Sequence, residues 1–378
     1  MKVLKNYKDS LLLLLGMLVG GIAGKIIGPG IAVVEPIAST FLNLLFCVVV
    51  PLVFVSIVCS IANLKSGKEA GTLLSWTAVF FVATVVIAAI VFTVYFGVID
   101  AAKGAALPAD AIAEEMKEVK IDLVGQLTVS DFKDLWSVQK LLAVVVFALI
   151  TGFSLRGLGE KGEPLLKIVN CLNALIAKFI NSIMKFAPAG LGCYFAVFMG
   201  TSGGNTAGPL MKIGIATWIG TLVYMAVAHS IYAFIADGMK GVATYWKCMI
   251  APFLTALGTC SGAASVPANV EAARKAEMDE DVASIVMPLG CNLHKEGTAI
   301  MAAMTVSFEC AMLGQNFFSP QILGTCILMA VVYPFVAGAI PGGGPFLLFS
   351  VFGWPMETFA AVMALHTITD APTTAINV

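Results

Sequence analysis

Apolar runs of roughly 20 residues recur along this chain, separated by short charged stretches. The clean runs are 10–28, 36–63, 71–98, 138–157, 164–199 and 208–236, and a polar stretch, 99–137, separates the third from the fourth. Four later segments, 243–275, 280–312, 317–352 and 355–378, are less uniform. Two of these are broken by small residues and proline, 243–275 at "LGTCSGAASVP" and 317–352 at "GAIPGGGPF". Irregular backbone is tolerated at membrane depth only where protein or a wet cavity covers it. Each broken segment therefore reads as two short helices with a flexible tip, a pointer to a binding site; two kinked full spans are the alternative. The predicted fold is an all-α membrane protein of eight transmembrane helices plus two re-entrant helical hairpins.

Composition supports a membrane protein. The chain has 378 residues, 59% apolar and only 12% charged, against about 25% charged in a soluble domain. A net charge of −1 with no basic cluster predicts no nucleic-acid partner. The nine cysteines form no C-x-x-C pair and mostly sit in apolar runs, so neither a disulfide framework nor a metal cluster is expected. The first run has a basic flank but lacks a small-residue cleavage site, and reads as a span rather than a removed signal. Lys2, Lys5, Lys8, Lys65, Lys68, Arg156, Lys161 and Lys167 lie in short loops on one side, and the 99–137 stretch is rich in Asp and Glu. The positive-inside rule then predicts a multi-pass plasma (inner) membrane protein with a cytoplasmic N-terminus and an external 99–137 loop.

Six stretches, taken in order, resemble one family. "VVVPLVFVSIVCSIANL" and "IMKFAPAGLGCYFAVFM" look like its second and fifth spans. "FLTALGTCSGAASVPANVEAARK" looks like its first hairpin, "MPLGCNLHKEGTAI" like the Asn-Met-Asp-Gly-Thr region of its seventh span, and "AGAIPGGGPF" with "TDAPTTAINV" like its second hairpin tip and eighth span. The family is the dicarboxylate/amino acid:cation symporters, which includes glutamate transporters and neutral amino acid exchangers. The resemblance implies a homotrimer in membrane lipid. Within each copy, 1–70 (spans 1 and 2) and 138–200 (spans 4 and 5) would form a scaffold. Span 3 (71–98) and 201–378 would form a transport domain that crosses the membrane as a rigid body. That domain holds span 6 (208–236), hairpin 1 (243–275), span 7 (280–312), hairpin 2 (317–352) and span 8 (355–378).

The resemblance also implies a substrate site. Asp370 lies inside the last apolar segment, where a carboxylate is a functional hypothesis by default. Its family counterpart holds the α-ammonium of an amino acid; a structural pair with Lys295 is the alternative. Three residues on, acidic amino acid carriers place an arginine that grips the second carboxylate, and here the residue is Thr373. The first hairpin tip, arginine in some members, has Cys260. An unpaired carboxylate is costly in a poorly hydrated pocket, so the expected substrate is a small neutral amino acid such as Ser, Thr or Ala. Thr374 and Asn377 share the helix face of 370 and 373, and with the backbone around Ser261 and Gly262 would meet the α-carboxylate. Thr298, and Ile340 and Gly344 of the second hairpin tip, complete the expected substrate site.

The motif "HKEGT" departs from the family. His294, Lys295 and Glu296 replace Asn, Met and Asp, residues the family uses around sodium. An ammonium at Lys295 would repel a nearby sodium by about 4 kcal/mol at an effective dielectric of about 20. The family's sodium ligands on span 3 are not evident in "LLSWTAVFFVATVV", and its further aspartate, four residues after Asn377, falls beyond Val378. The candidate cation-coupling set is Gly290, His294, Lys295, Glu296 and Asn377, with a sodium ion near Gly290 and Asn377 as one option. The other is a Lys295 ammonium in place of a bound sodium, neutralising Asp370 or Glu296, with His294 adding proton coupling. The coupling ion is therefore Na+ or H+, and no organic cofactor is expected. His229 and His366 read as hydrogen-bonded packing residues.

The expected activity is elevator-type secondary transport of small neutral amino acids. Its alternative is a dicarboxylate or organic-anion symporter with Lys295 as counter-charge. A membrane enzyme is disfavoured, because H-E-x-x-H does not occur and the two-hairpin reading explains "GTCSG" better than a nucleophile loop paired with His294 does. An inactive regulatory homologue is the remaining class.

Overall fold

The computed structural model describes residues 8–63, 68–105, 123–201, 207–280, 282–288, 290, 294–337 and 343–378. These residues form helices α1 (Lys8–Ile27), α2 (Glu35–Ala62), α3 (Lys68–Ile99), α4 (Leu141–Gly157), α5 (Glu163–Met184), α6 (Ala187–Thr201) and α7 (Ala207–Tyr224). They continue with α8 (Ser230–Thr259), α9 (Gly262–Lys275), α10 (Glu296–Met312), α11 (Pro320–Ala337), α12 (Gly343–Phe352) and α13 (Phe359–Ala375). Among the described residues, five stretches are long and apolar enough to cross a membrane: Leu15–Ala62, Ser75–Ile99, Val138–Gly157, Gly159–Met184 and Gly208–Thr259. The architecture is helical, as a bilayer requires of a chain that must satisfy its backbone internally.

Sequence chemistry explains where the helices break. The run 164–199 divides into α5 and α6 at Lys185–Phe186, just before Pro188. A π-helical turn, Met225–His229, separates α7 from α8 and ends on a buried histidine. Inside α8, Asp237 (φ −151°) and Gly238 (φ +56°) leave helical geometry, and the positive φ suits a residue without a Cβ. This break falls between the predicted segments 208–236 and 243–275. The second part of α8 runs to Thr259. Cys260 then turns in the left-handed region (φ +48°), and α9 packs back against α8. The loop after α9 is closed by Arg274, whose Nε donates to Glu280 Oε2 at 3.1 Å. That hydrogen bond holds the Glu280 carboxyl below the usual carboxylate range.

The helices pack in two groups. In the first, α1 lies along α6, and α2 contacts α4, α5 and α6. A Cβ at Gly16, Gly20 or Gly24 would meet the backbone of Pro188, Gly192 or Ala196, so this glycine stripe is what lets α1 and α6 approach so closely. In the second, α10 is central. It packs on α3, α11 and α13, and its residues Ala299, Ile300, Ala302, Ala303, Met304 and Phe308 are fully buried. Helices α7 and α8 also lie against α13.

Candidate functional site

The last helix carries a proline in its interior, and its surroundings accommodate it. Pro372 has no N–H, so the Ile368 carbonyl loses its intrahelical partner. Trp218 on α7 donates its indole N–H to that carbonyl at 2.9 Å. Two residues before the proline, Asp370 accepts from the Thr374 hydroxyl through Oδ1 at 2.9 Å. The positive charge of Lys295, at the entrance to α10, acts on the same carboxyl. Thr373 is almost fully buried, and its hydroxyl donates to the Thr369 carbonyl at 2.8 Å, which aligns it along its own helix.

The start of α10 is locked to the end of α13. Lys295 (φ −140°, ψ 67°) is non-helical and begins α10. The Gly297 N–H donates to Asn377 Oδ1 at 2.8 Å. A Cβ at Gly297 would collide with the Thr373 carbonyl, so only glycine permits this approach. Thr298 is buried beside it, its N–H bonded to the Lys295 carbonyl at 3.1 Å. The Gly290 carbonyl accepts from the His294 N–H at 2.8 Å. Asn377 and Gly290, the two candidate sodium ligands, thus each commit one acceptor lone pair to backbone and keep another.

Glu296 is fully buried and gathers a polar cluster. Its Oε2 lies 3.0 Å from His229 Nε2, and its Oε1 lies 3.7 Å from His294 Nε2. His229 is braced from behind by the Tyr245 hydroxyl, 2.5 Å from Nδ1. His294 Nε2 also meets the Thr84 hydroxyl of α3 at 2.7 Å, and its ring packs on Phe81. The span-3 stretch that shows no evident sodium ligand in sequence therefore does bring a hydroxyl to this segment, onto an imidazole. A buried carboxylate is tolerable when paired, and here the partners are two imidazoles. The described ion-pair partners of Glu296 are His229 and His294. Hard cations prefer several oxygen donors, and two imidazoles beside an ammonium do not supply them. Among the described residues no group of three or more His, Cys, Asp or Glu is arranged to hold a metal.

At the turn between α8 and α9, Ser261 caps α9, its hydroxyl accepting from the Ala264 N–H at 3.3 Å, and Gly262 opens that helix. Gly344 in α12 sits against the Tyr333 ring, with no room for a Cβ. Ile340 lies outside the described residues.

Some residues of the site escape sequence reasoning. His229, read as a packing histidine, is hydrogen-bonded to Glu296, 67 positions further along the chain. Thr84 and Tyr245 join the same cluster. A histidine in an apolar run marks a polar partner, but its identity needs the fold. His366 is hydrogen-bonded and buried, between the Thr305 hydroxyl at 2.8 Å and Tyr333.

Long apolar helices, interrupted helices packed about a central α10, and buried charged groups at the interruptions define a membrane transport protein. The sodium:dicarboxylate symporter family matches residues 10–378, and the chain belongs to that family. It is similar to the proton/sodium-glutamate symport protein of Bacillus caldotenax, 23% identical over 96% of this chain and 90% of that protein. It is also similar to the C4-dicarboxylate transport protein of Rhizobium etli (strain ATCC 51251 / DSM 11541 / JCM 21823 / NBRC 15573 / CFN 42), 26% identical over 82% of this chain and 71% of the other. The human neutral amino acid transporter A is 25% identical over 64% of this chain and 46% of the other. The chain is thus an integral membrane symporter coupled to Na+ or H+, not an enzyme, and needs no organic cofactor.

Proposed function

We propose that this chain carries small neutral amino acids across the plasma membrane. The observation that carries the proposal is the composition of the α13 face. Asp370 is an acceptor-only group positioned by Thr374, which suits a substrate ammonium. Thr373, three residues on, offers no cation to a second substrate carboxylate, and its hydroxyl already bonds the Thr369 carbonyl. Ser261, Gly262, Thr298, Thr374 and Asn377 line the rest of the site, with Gly344 in the covering hairpin. The α8–α9 and α11–α12 pairs act as re-entrant hairpins. The group centred on α10 is the moving domain, and the α1, α2, α4, α5 and α6 group is the scaffold of a trimer with a cytoplasmic N-terminus.

Coupling centres on the segment from Gly290 to Glu296. Lys295 balances Asp370, which lets the site stay formed without a sodium beside it. The His229–Glu296–His294 set, in which both imidazoles face one buried carboxylate, exchanges a proton. Any sodium lies at the free lone pairs of Gly290 and Asn377.

Uptake into proteoliposomes tests both parts. Labelled serine or alanine is expected to accumulate over glutamate and succinate, with sodium replaced by choline and an inward proton gradient applied. Succinate preferred over serine overturns the substrate assignment in favour of a dicarboxylate carrier that uses Lys295 as counter-charge. Complete loss of serine uptake in choline overturns the role given to Lys295.

A further inference from the structure

A second buried carboxyl sits on α10, away from the site described above. Glu309 is fully buried, thirteen residues after Glu296, or roughly 20 Å along the helix. Its Oε2 accepts from the Thr358 hydroxyl, at the start of α13, at 2.8 Å. Its Oε1 is buried and has no hydrogen-bond partner. Among the described residues no lysine, arginine or histidine pairs with it. Among the described residues, the titratable groups nearby are the thiol of Cys310, adjacent on α10 and itself near Cys326 of α11, and Glu357, next to Thr358 on the exposed side. None of these supplies a positive charge.

An ionised carboxylate here would be a buried anion with one hydrogen bond and no counter-charge, the arrangement least tolerated in a protein interior. A neutral acid leaves only one unpaired hydroxyl. The way to water is short. Glu309 bonds through its carbonyl to the Leu313 N–H, and exposed Gly314 and Asn316 follow within two turns of chain. We propose that Glu309 is a proton-binding site of the carrier, taking its proton from water at the Leu313–Ser319 end and holding it while the domain built on α10 crosses the membrane. Crossing with Glu309 ionised would drag an unpaired charge through the bilayer, so deprotonation arrests the carrier. The proposal rests on the chain's being a carrier, and not on which amino acid it carries.

The test uses the full chain in proteoliposomes, with two readouts. Infrared difference spectra of wild type minus Glu309→Gln need no substrate. They are expected to show a protonated-carboxyl band that fades on going from mildly acidic to alkaline pH. Exchange of substrate across the bilayer is expected to fall about tenfold per pH unit above that transition in the wild type. In Glu309→Gln it is expected to stay within about twofold, because the amide cannot ionise. Thr358→Val removes the one hydrogen bond to the anion and is expected to move the infrared transition to higher pH. A difference spectrum without a protonated-carboxyl band at any pH, a Thr358→Val transition unmoved or moved to lower pH, or a Glu309→Gln exchange profile that matches the wild type overturns the proposal. Serine that fails to exchange while the band titrates as expected counts against the substrate assignment alone.

Discussion

The side-chain oxygen of Asn377 accepts the N–H of Gly297 at 2.8 Å, joining the last turn of the chain to the first turn of α10. The two helices meet so closely there that a single added carbon at Gly297 would strike the Thr373 carbonyl. One junction therefore joins the two segments: Asp370, Thr373 and Thr374 lie on one side of it, Lys295 and Glu296 on the other.

That junction yields the first prediction. Asn377→Ala leaves the Gly297 N–H without its partner, at a cost of about 1–3 kcal/mol. Gly297→Ala forces the helices apart and is expected to cost more. Thermal unfolding in detergent measures both. An Asn377→Ala midpoint equal to that of the wild type, with serine binding unchanged, contradicts the junction.

Asp370 and Thr373 give the second. Asp370→Asn removes the negative charge proposed to meet the substrate ammonium, and serine affinity is expected to drop at least about tenfold, or 1.4 kcal/mol. Thr373→Arg introduces a guanidinium that can pair with a carboxylate, and selectivity is expected to move toward aspartate. Binding calorimetry with serine and aspartate on both variants reads the change. Unaltered serine affinity in Asp370→Asn removes the basis for the amine-binding role.

Much of this architecture was legible in the chain. Hydropathy marks the apolar helices, and the small-residue cluster "LGTCSGAASVP" marks the interruption at Cys260–Ser261, while most of "GAIPGGGPF" lies outside the described residues. The chemistry of "HKEGT" flagged Glu296 and Lys295, because charges are rare in apolar runs. What stayed hidden depends on which helices touch. Nothing local says that Glu296 faces His229 and His294, or that Thr84 on α3 meets His294. The π turn that ends at His229 is also invisible to hydrophobic periodicity, since one extra residue in a turn leaves composition unchanged. Glu309 was equally silent: its significance lies in an oxygen without a partner, which only packing reveals.

His229 and Glu296 give the third prediction. Removing one member of a buried pair strands the other, with losses of about 3–5 kcal/mol. His229→Ala is expected to destabilise the protein by an amount in that range. Glu296→Gln, which removes the charge that needs the imidazole, is expected to reduce the penalty when combined with His229→Ala. A double-mutant cycle by denaturant or thermal unfolding measures the coupling. Additive effects of the two substitutions contradict a direct pair.

The last prediction concerns Trp218 and Pro372. The indole N–H of Trp218 fills the place of the helical N–H that Pro372 lacks, at the carbonyl of Ile368. Trp218→Phe keeps an aromatic ring but strands that carbonyl, at about 1–3 kcal/mol. Pro372→Ala restores an N–H four residues after Ile368, so the helix can satisfy its own carbonyl. The cost of Trp218→Phe is therefore expected to be smaller in the Pro372→Ala background than in the wild type. Unfolding midpoints of the four proteins in the cycle give the coupling. The indole bond predicts that the two substitutions together destabilise less than their separate effects imply. A tryptophan penalty of equal size in both backgrounds assigns its role to ring packing instead. Serine binding measured on the same set shows whether the Asp370 side chain, two residues before the proline, depends on Pro372 for its position.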